Sequence, residues 1–374
     1  MNILRRLPLS RLLLLCALAL GIGVSATALA FALGSGPTPP AKPLAQAIHD
    51  ALGGASGEQI QGVSANITLT DHLLEGASLA SGTGRGGELT SNPLITGGSG
   101  RLWLSKDGDV RLELQSQQGD TQVIYDGHTL TVYDAASNTV YRYTPPAHER
   151  GSGAGSGSPN GGDREVPSVA KIEAAIAHLS KHADVSGATP TDVAGHAAYT
   201  VRVSPNEAGG LFGGVELSFD AGNGVPLRAA VYSSTTAAPV IELAATEISY
   251  GPVASSIFEI NPPADAKVQE ISTPSSEGTH PAPKSSGGGE KPTITTHGHG
   301  PSTIAVLESK TEKGAQGGGG ETLEGLPKVT IDGVSASELR TELGTLLSFE
   351  RGGVRYLVAG SVSPAAVEEV ARGL

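Results

Sequence analysis

The sequence predicts an α+β fold: a long, strongly curved antiparallel sheet with helices covering its concave side, followed by a small C-terminal α/β module. Three observations carry this reading. Short apolar-alternating runs follow one another closely from residue 60 to residue 260. Asp-Gly and Asn-Gly pairs punctuate several of them, and such pairs tolerate the positive φ that tight hairpins need. The main body takes up the helical period in only two stretches.

Residues 1–33 stand apart from the fold. Arg5, Arg6 and Arg11 precede a run, 12–33, without one charged side chain. Cations stay on the cytoplasmic side of an inside-negative membrane, so this order marks export. The run exceeds a usual signal-peptide core and is close to the ~20 residues that cross a bilayer. Two fates fit it: cleavage near 28–33, where Ala28-Leu29-Ala30 and Ala30-Phe31-Ala32 offer small residues, or retention as an anchor in the cytoplasmic membrane. Its length favours retention. Cys16 is the only cysteine, which excludes an intramolecular disulfide, and Leu15 before it does not suit a lipidation site.

After a Pro-rich exit over 34–42, Leu44, Ile48 and Leu52 place a helix that Gly53-Gly54 should end. Strands follow at 60–70, 101–105, 110–116, 121–125, 129–133 and 139–143, with a Gly-rich insertion at 76–100. A Gly/Ser insertion, 151–163, is flexible by composition. Val169, Ile172, Ile176 and Leu179 then form the stripe of a second helix over 166–182. Further strands are expected at 197–204, 215–220, 227–233, 240–250 and 257–260. A sheet of about ten or eleven strands curls rather than staying flat. With helices on its concave side, the interior becomes an apolar cleft of the kind that holds small molecules or lipids.

These boundaries divide the chain into a main domain (34–270), a disordered linker (271–302) and a C-terminal module (303–374). In the module, Ser335-Ala336-Ser337-Glu338 matches a capping box, followed by a helix with Leu339, Leu343, Leu346 and Leu347 on one face. A hairpin through Glu350–Gly353 and a last helix capped by Ser363 with Pro364 complete it.

The chemistry is that of a binding protein. The chain holds 25 Lys+Arg against 37 Asp+Glu, a formal charge of -12, and three of the arginines sit in the N-terminal segment. That excludes nucleic acid as a partner, because phosphates require basic contacts. Gly82–Gly87 spells G-x-G-x-x-G, but Gly- and Ser-rich sequence flanks it where a strand and a helix N-terminus would be needed. His297 and His299 are two ligands short of a metal site. No nucleophile or base falls in a catalytic motif, so no enzyme activity, cofactor or metal is expected. The composition suits a high-GC Gram-positive (actinobacterial) source.

The ordered motifs carry a resemblance. Arg111-Leu112-Glu113 on one strand, Tyr125-Asp126-Gly127 closing the next and Tyr133-Asp134 closing a third, continued by Pro226-Leu227-Arg228 and Pro262-Pro263, resemble the LolA-type lipoprotein carriers and the related RseB/MucB regulators over residues 42–270. The resemblance implies an incomplete β-barrel with a helical lid and an apolar cavity for acyl chains. Trp103, Leu112, Ile124, Leu130, Val132 and Tyr141 are the cavity candidates. It implies lipid or an acylated lipoprotein as partner, in the cell envelope. The C-terminal module keeps a second reading open: an envelope-stress regulator acting by contact with a membrane anti-sigma factor.

Overall fold

The computed structural model describes residues 36–57, 60–74, 92–117, 119–145, 166–271, 293–310 and 326–374. The N-terminal segment, Gly82–Gly87 and the 151–163 insertion lie outside them. Two meanders that are distant in sequence share one sheet. The first runs β1 (Gly62–Asp71), β2 (Gly98–Ser105), β3 (Val110–Gln115), β4 (Asp120–Tyr125), β5 (Leu130–Asp134) and β6 (Thr139–Tyr143). Past β7 (Ala183–Val185) and β8 (Thr189–Val193) comes the second: β9 (His196–Pro205), β10 (Phe212–Asp220), β11 (Pro226–Ser233) and β12 (Pro239–Tyr250). β12 pairs antiparallel with β1 from Val63↔Tyr250 to Asp71↔Ile241, which fuses the meanders. β7 and β8 line one edge, against β9, and β13 (Lys267–Ile271) lies parallel to β6 at the other. The two edges do not meet. This thirteen-stranded sheet stays open, as the incomplete barrel implied by the resemblance would.

The turns follow from their residues. Asp126 accepts the Thr129 (2.7 Å) and His128 (2.9 Å) N–H groups, and these bonds hold its carboxyl below the ordinary value. Asp134 likewise accepts from Ala136 N–H and Ser137 Oγ. Both Tyr-Asp motifs therefore build hairpins.

Three helices sit on one face, here the inner face. α1 (Leu44–Gly57) packs Ala47 and Ala51 onto Tyr199 and Phe219. It runs past Gly53-Gly54 instead of stopping there. A Cβ on Gly54 would overlap the Gly222 carbonyl, so the glycine serves close approach to the β10–β11 turn. α2 (Pro93–Thr96) is a single turn capped by Asn92, whose Leu94 joins Leu69, Leu102 and Leu112. α3 (Val169–Leu179), capped by Ser168, lies against α1.

The expected strand at 257–260 is instead a 3-10 turn, Ser255–Phe258, within the segment that carries the chain from β12 across the outer face to β13. Arg111 on β3 holds this crossing: its Nη1 donates to the carbonyls of Ile257 (2.6 Å) and Glu259 (3.1 Å). Glu113 fixes the guanidinium at 2.6 Å, and Gln122 accepts a further bond. The Arg-x-Glu motif is thus a clamp on the returning chain.

The C-terminal module differs most from expectation. Residues 293–297, expected in the linker, form β14 (Thr293–His297). With β15 (Ile304–Lys310), β16 (Lys328–Ile331), β17 (Val334–Thr341), β18 (Gly344–Arg351) and β19 (Val354–Gly360) it makes a six-stranded sheet ordered β14-β15-β19-β18-β17-β16. The helix expected from residue 335 is the hairpin β17–β18. Asp332 and Gly333 both take positive φ (47° and 83°) and turn β16 into β17, so the capping-box residues are already in a ladder. The last helix is as expected: α4 (Pro364–Arg372) buries Val367 and Ala371 on Val306, Leu347 and Val358. The module meets the main sheet where Leu211 N–H donates to Ser361 O (2.6 Å) and Phe212 N–H to Ser361 Oγ (3.1 Å).

Replacing Arg111 by Ala should lower unfolding free energy by about 1.5–3 kcal/mol, the range for hydrogen bonds to a charged group. Arg111→Lys should recover little, since ammonium lacks the planar fork. Urea unfolding measures both. An Arg111→Ala protein as stable as the parent would contradict the clamp.

Candidate functional site: a half-open apolar face

Side chains alternate between the faces of a strand, so the register assigns every residue a side. Leu102, Leu112, Val123, Val132 and Tyr141 are successive cross-strand partners from β2 to β6 and share the inner face. Leu130 lies two residues from Val132 on the same side. In the second meander, Val203, Val215, Val231 and Ile241 form one inner row, and Val201, Leu217, Ala229 and Leu243 the next. Leu243 pairs with Leu69 across the β1–β12 seam, so the apolar surface is continuous between the halves.

Four of the six cavity candidates, Leu112, Leu130, Val132 and Tyr141, therefore share this face. Trp103 and Ile124 do not. Trp103 pairs with Arg111, and Arg111 with Ile124, which puts both on the outer face. Ile124 is only 3% exposed there. Sequence alternation gave the period of each strand without saying which set of side chains faces inward. The residues it missed are in the second meander. Val215 and Leu217 remain 38% and 43% exposed, although they are large, apolar and on the helix-bearing face.

Their exposure follows from the placement of the helices. α1 covers Tyr199 and Phe219 at one end of β9 and β10, and α2 covers the β1–β3 cluster. The rows between are half-buried. Each Å² left uncovered retains about 25 cal/mol of unused burial energy. Where β1 ends, a cavity of about 950 Å³ opens, lined by Leu69, Asp71, Leu74, Ile95 and Gln115 among others. Partial burial raises the Asp71 carboxyl, against a bond from Leu73 N–H.

The outer face of the second meander is polar and tightly paired. Arg228 donates to Glu242, to Glu216 (3.0 Å) and to the Tyr232 hydroxyl (3.0 Å), while Tyr232 donates to Glu216 (2.7 Å). Arg202 adds a bond to Glu216 at 3.2 Å and stacks over the Tyr232 ring. Partial burial alone would raise the Glu216 carboxyl; the bonds from Tyr232, Arg228 and Arg202 outweigh it and hold it below the usual range. No group of three or more His, Cys, Asp or Glu side chains positioned for a metal occurs among the described residues. No helix among them is long and apolar enough to cross a membrane.

The geometry defines an open antiparallel sheet with helices on one face and an appended α/β module. No protein-family model matches the chain, and no curated protein sequence does. Among solved structures, it is similar to the MucA/MucB complex of Pseudomonas aeruginosa, at 16% identity over 87% of this chain and 96% of that one, with a TM-score of 0.39. A conserved protein from Thermus thermophilus is similar at 10% identity over 61% and 99% of the two chains, TM-score 0.35. A LolA superfamily protein from Nitrosomonas europaea is similar at 8% identity over 85% and 91%, TM-score 0.19.

The Glu216 carboxylate is favoured in the folded state, so its stabilisation is present above the ordinary glutamate pKa of about 4.3 and is lost as pH falls below it. Glu216→Gln should therefore be less stable at pH 7 and show a shallower stability loss from pH 5 to pH 3. Urea midpoints over that range test this, and parallel pH slopes would contradict it.

Proposed function

We propose that the chain binds acyl chains of a lipid or lipoprotein, without catalysis, on the inner face of its half-barrel outside the cytoplasm. The observation that carries this is the incomplete cover of that face: Val215 and Leu217 stay exposed within a continuous apolar surface. Leu112, Leu130, Val132 and Tyr141 supply the opposite half of the same surface, and an acyl chain laid along it would complete the burial. The N-terminal segment sets how the site is used. Retained over residues 12–33, it keeps the site within tether reach of the cytoplasmic membrane; cleaved near 28–33, it releases a carrier.

The regulatory reading rests on a different feature. β14 is the edge strand of the C-terminal sheet, exposed along its length, with Ile294 at 69%. Its outer backbone groups are open to an added strand, a recurrent mode of peptide capture. In that reading the module holds a membrane regulatory protein such as an anti-sigma factor, and a crosslinking pull-down with the module as bait recovers it.

Organic extraction of the purified protein followed by mass spectrometry should yield lipid, and the emptied protein should take up a fluorescent fatty acid. Leu217→Glu places a carboxylate in the middle of the face and should weaken uptake at least tenfold, since burying an unpaired charge costs well over 1.4 kcal/mol. Absence of both extracted lipid and uptake would overturn the reading.

A further inference from the structure

We infer that the outer face carries a second site, a groove for a neutral saccharide chain built around Trp103. The chain has a single tryptophan. Its place on the outer face sets it beside polar cross-strand neighbours, Ser64 on β1 and Arg111 on β3, and it is only half-buried. Two adjoining grooves of about 320 and 430 Å³ cross β12, β1, β2 and β3 here, and both are lined by Asn66 and Arg101. Ser64, Ser249 and Glu247 complete the first; Thr68, Glu113 and Gln115 contribute to the second. Asn66 Nδ2 donates to Glu247 Oε2 at 2.6 Å across the β1–β12 pair, which fixes both side chains in the groove's lining. Among the described residues, neither the Trp103 indole N–H nor the Arg101 guanidinium has a hydrogen-bond partner.

This combination suits one class of ligand. An indole offers a flat apolar face and one donor at its edge. A pyranose offers a face of C–H groups and a rim of hydroxyls that both donate and accept. Guanidinium, amide and carboxylate side chains at the margin are suited to adjacent hydroxyl pairs. The grooves are lined by Arg101, Glu113 and Glu247, and Glu113 is already paired with Arg111. That leaves one positive against one negative group and favours an uncharged chain. The walls mix polar side chains with the Trp103 ring, which suits an amphipathic ligand better than an acyl chain, and the acidic protein repels nucleic acid. The site is on the face opposite the acyl surface, so the two proposals stand or fall separately.

Because Trp103 is the only tryptophan, its fluorescence reports this groove alone. The full chain should be titrated with maltotriose, mannotriose and the β-1,4-linked N-acetylglucosamine trimer. At least one should give a saturable change in emission. Arg101→Ala should weaken that binding about tenfold or more, as expected for loss of a charge-assisted hydrogen bond. Trp103→Phe, followed by calorimetry, should weaken it while leaving fatty-acid uptake unchanged. Flat emission and no heat with all three sugars, or a response that survives Arg101→Ala, would overturn the proposal.

Discussion

The structure depends on one long-range ladder, the antiparallel pairing of β1 with β12. Val63 meets Tyr250 and Asp71 meets Ile241, so about 170–190 residues of chain separate the partners. Closing such a loop costs entropy that grows only with the logarithm of its length, and ladder hydrogen bonds and the joint apolar face offset it. Without this seam, each meander would have its own edges and the inner face would be cut between Leu69 and Leu243. With it, one surface runs from Tyr141 to Val203. The register shift between Asn66 and Ile67 adds a local bend to the same seam, as β-bulges do.

A second constraint follows from the first. Once β12 lies beside β1, the chain emerges in the middle of the sheet and must cross five strands to reach β6. It does so over the outer face, pinned by Arg111, and ends as a parallel strand at the far edge. The crossing occupies the outer face beside Arg111 and leaves the inner face to the helices. Those helices cover its ends rather than its whole length. The opening between them is a consequence of topology, and it is what makes the fold a candidate container for acyl chains.

The features legible in the sequence were local ones. Asp126-Gly127 and Asp134 turn their hairpins where expected, and Pro364 begins the last helix. The features that were not legible depend on partners far away in the chain. Nothing in residues 101–104 says that Leu102 faces the helices and Trp103 faces away, because period two is symmetric until the register is known. Gly54 read as a stop signal, yet the backbone of Gly222 explains it. The module shows competition between two local signals. Leu339, Leu343, Leu346 and Leu347 have helical spacing, but Asp332-Gly333 before them starts a hairpin, and the ladder between β17 and β18 satisfies the backbone instead. The exposed edge strands β13 and β14 lie at or inside the bounds expected for a linker and carry too little apolar signal to be seen beforehand.

The central claim is that the inner face, specifically the surface between α1 and α2, is where an acyl chain lies. Photocrosslinking with a diazirine-bearing fatty acid, followed by peptide mapping, tests it most directly. The account expects adducts on β10 and β11 around Val215, Leu217 and Val231, and on β3 to β6 around Leu112 and Val132. Adducts confined to the outer face around Ile124 and Trp103, or to the C-terminal module, would contradict it.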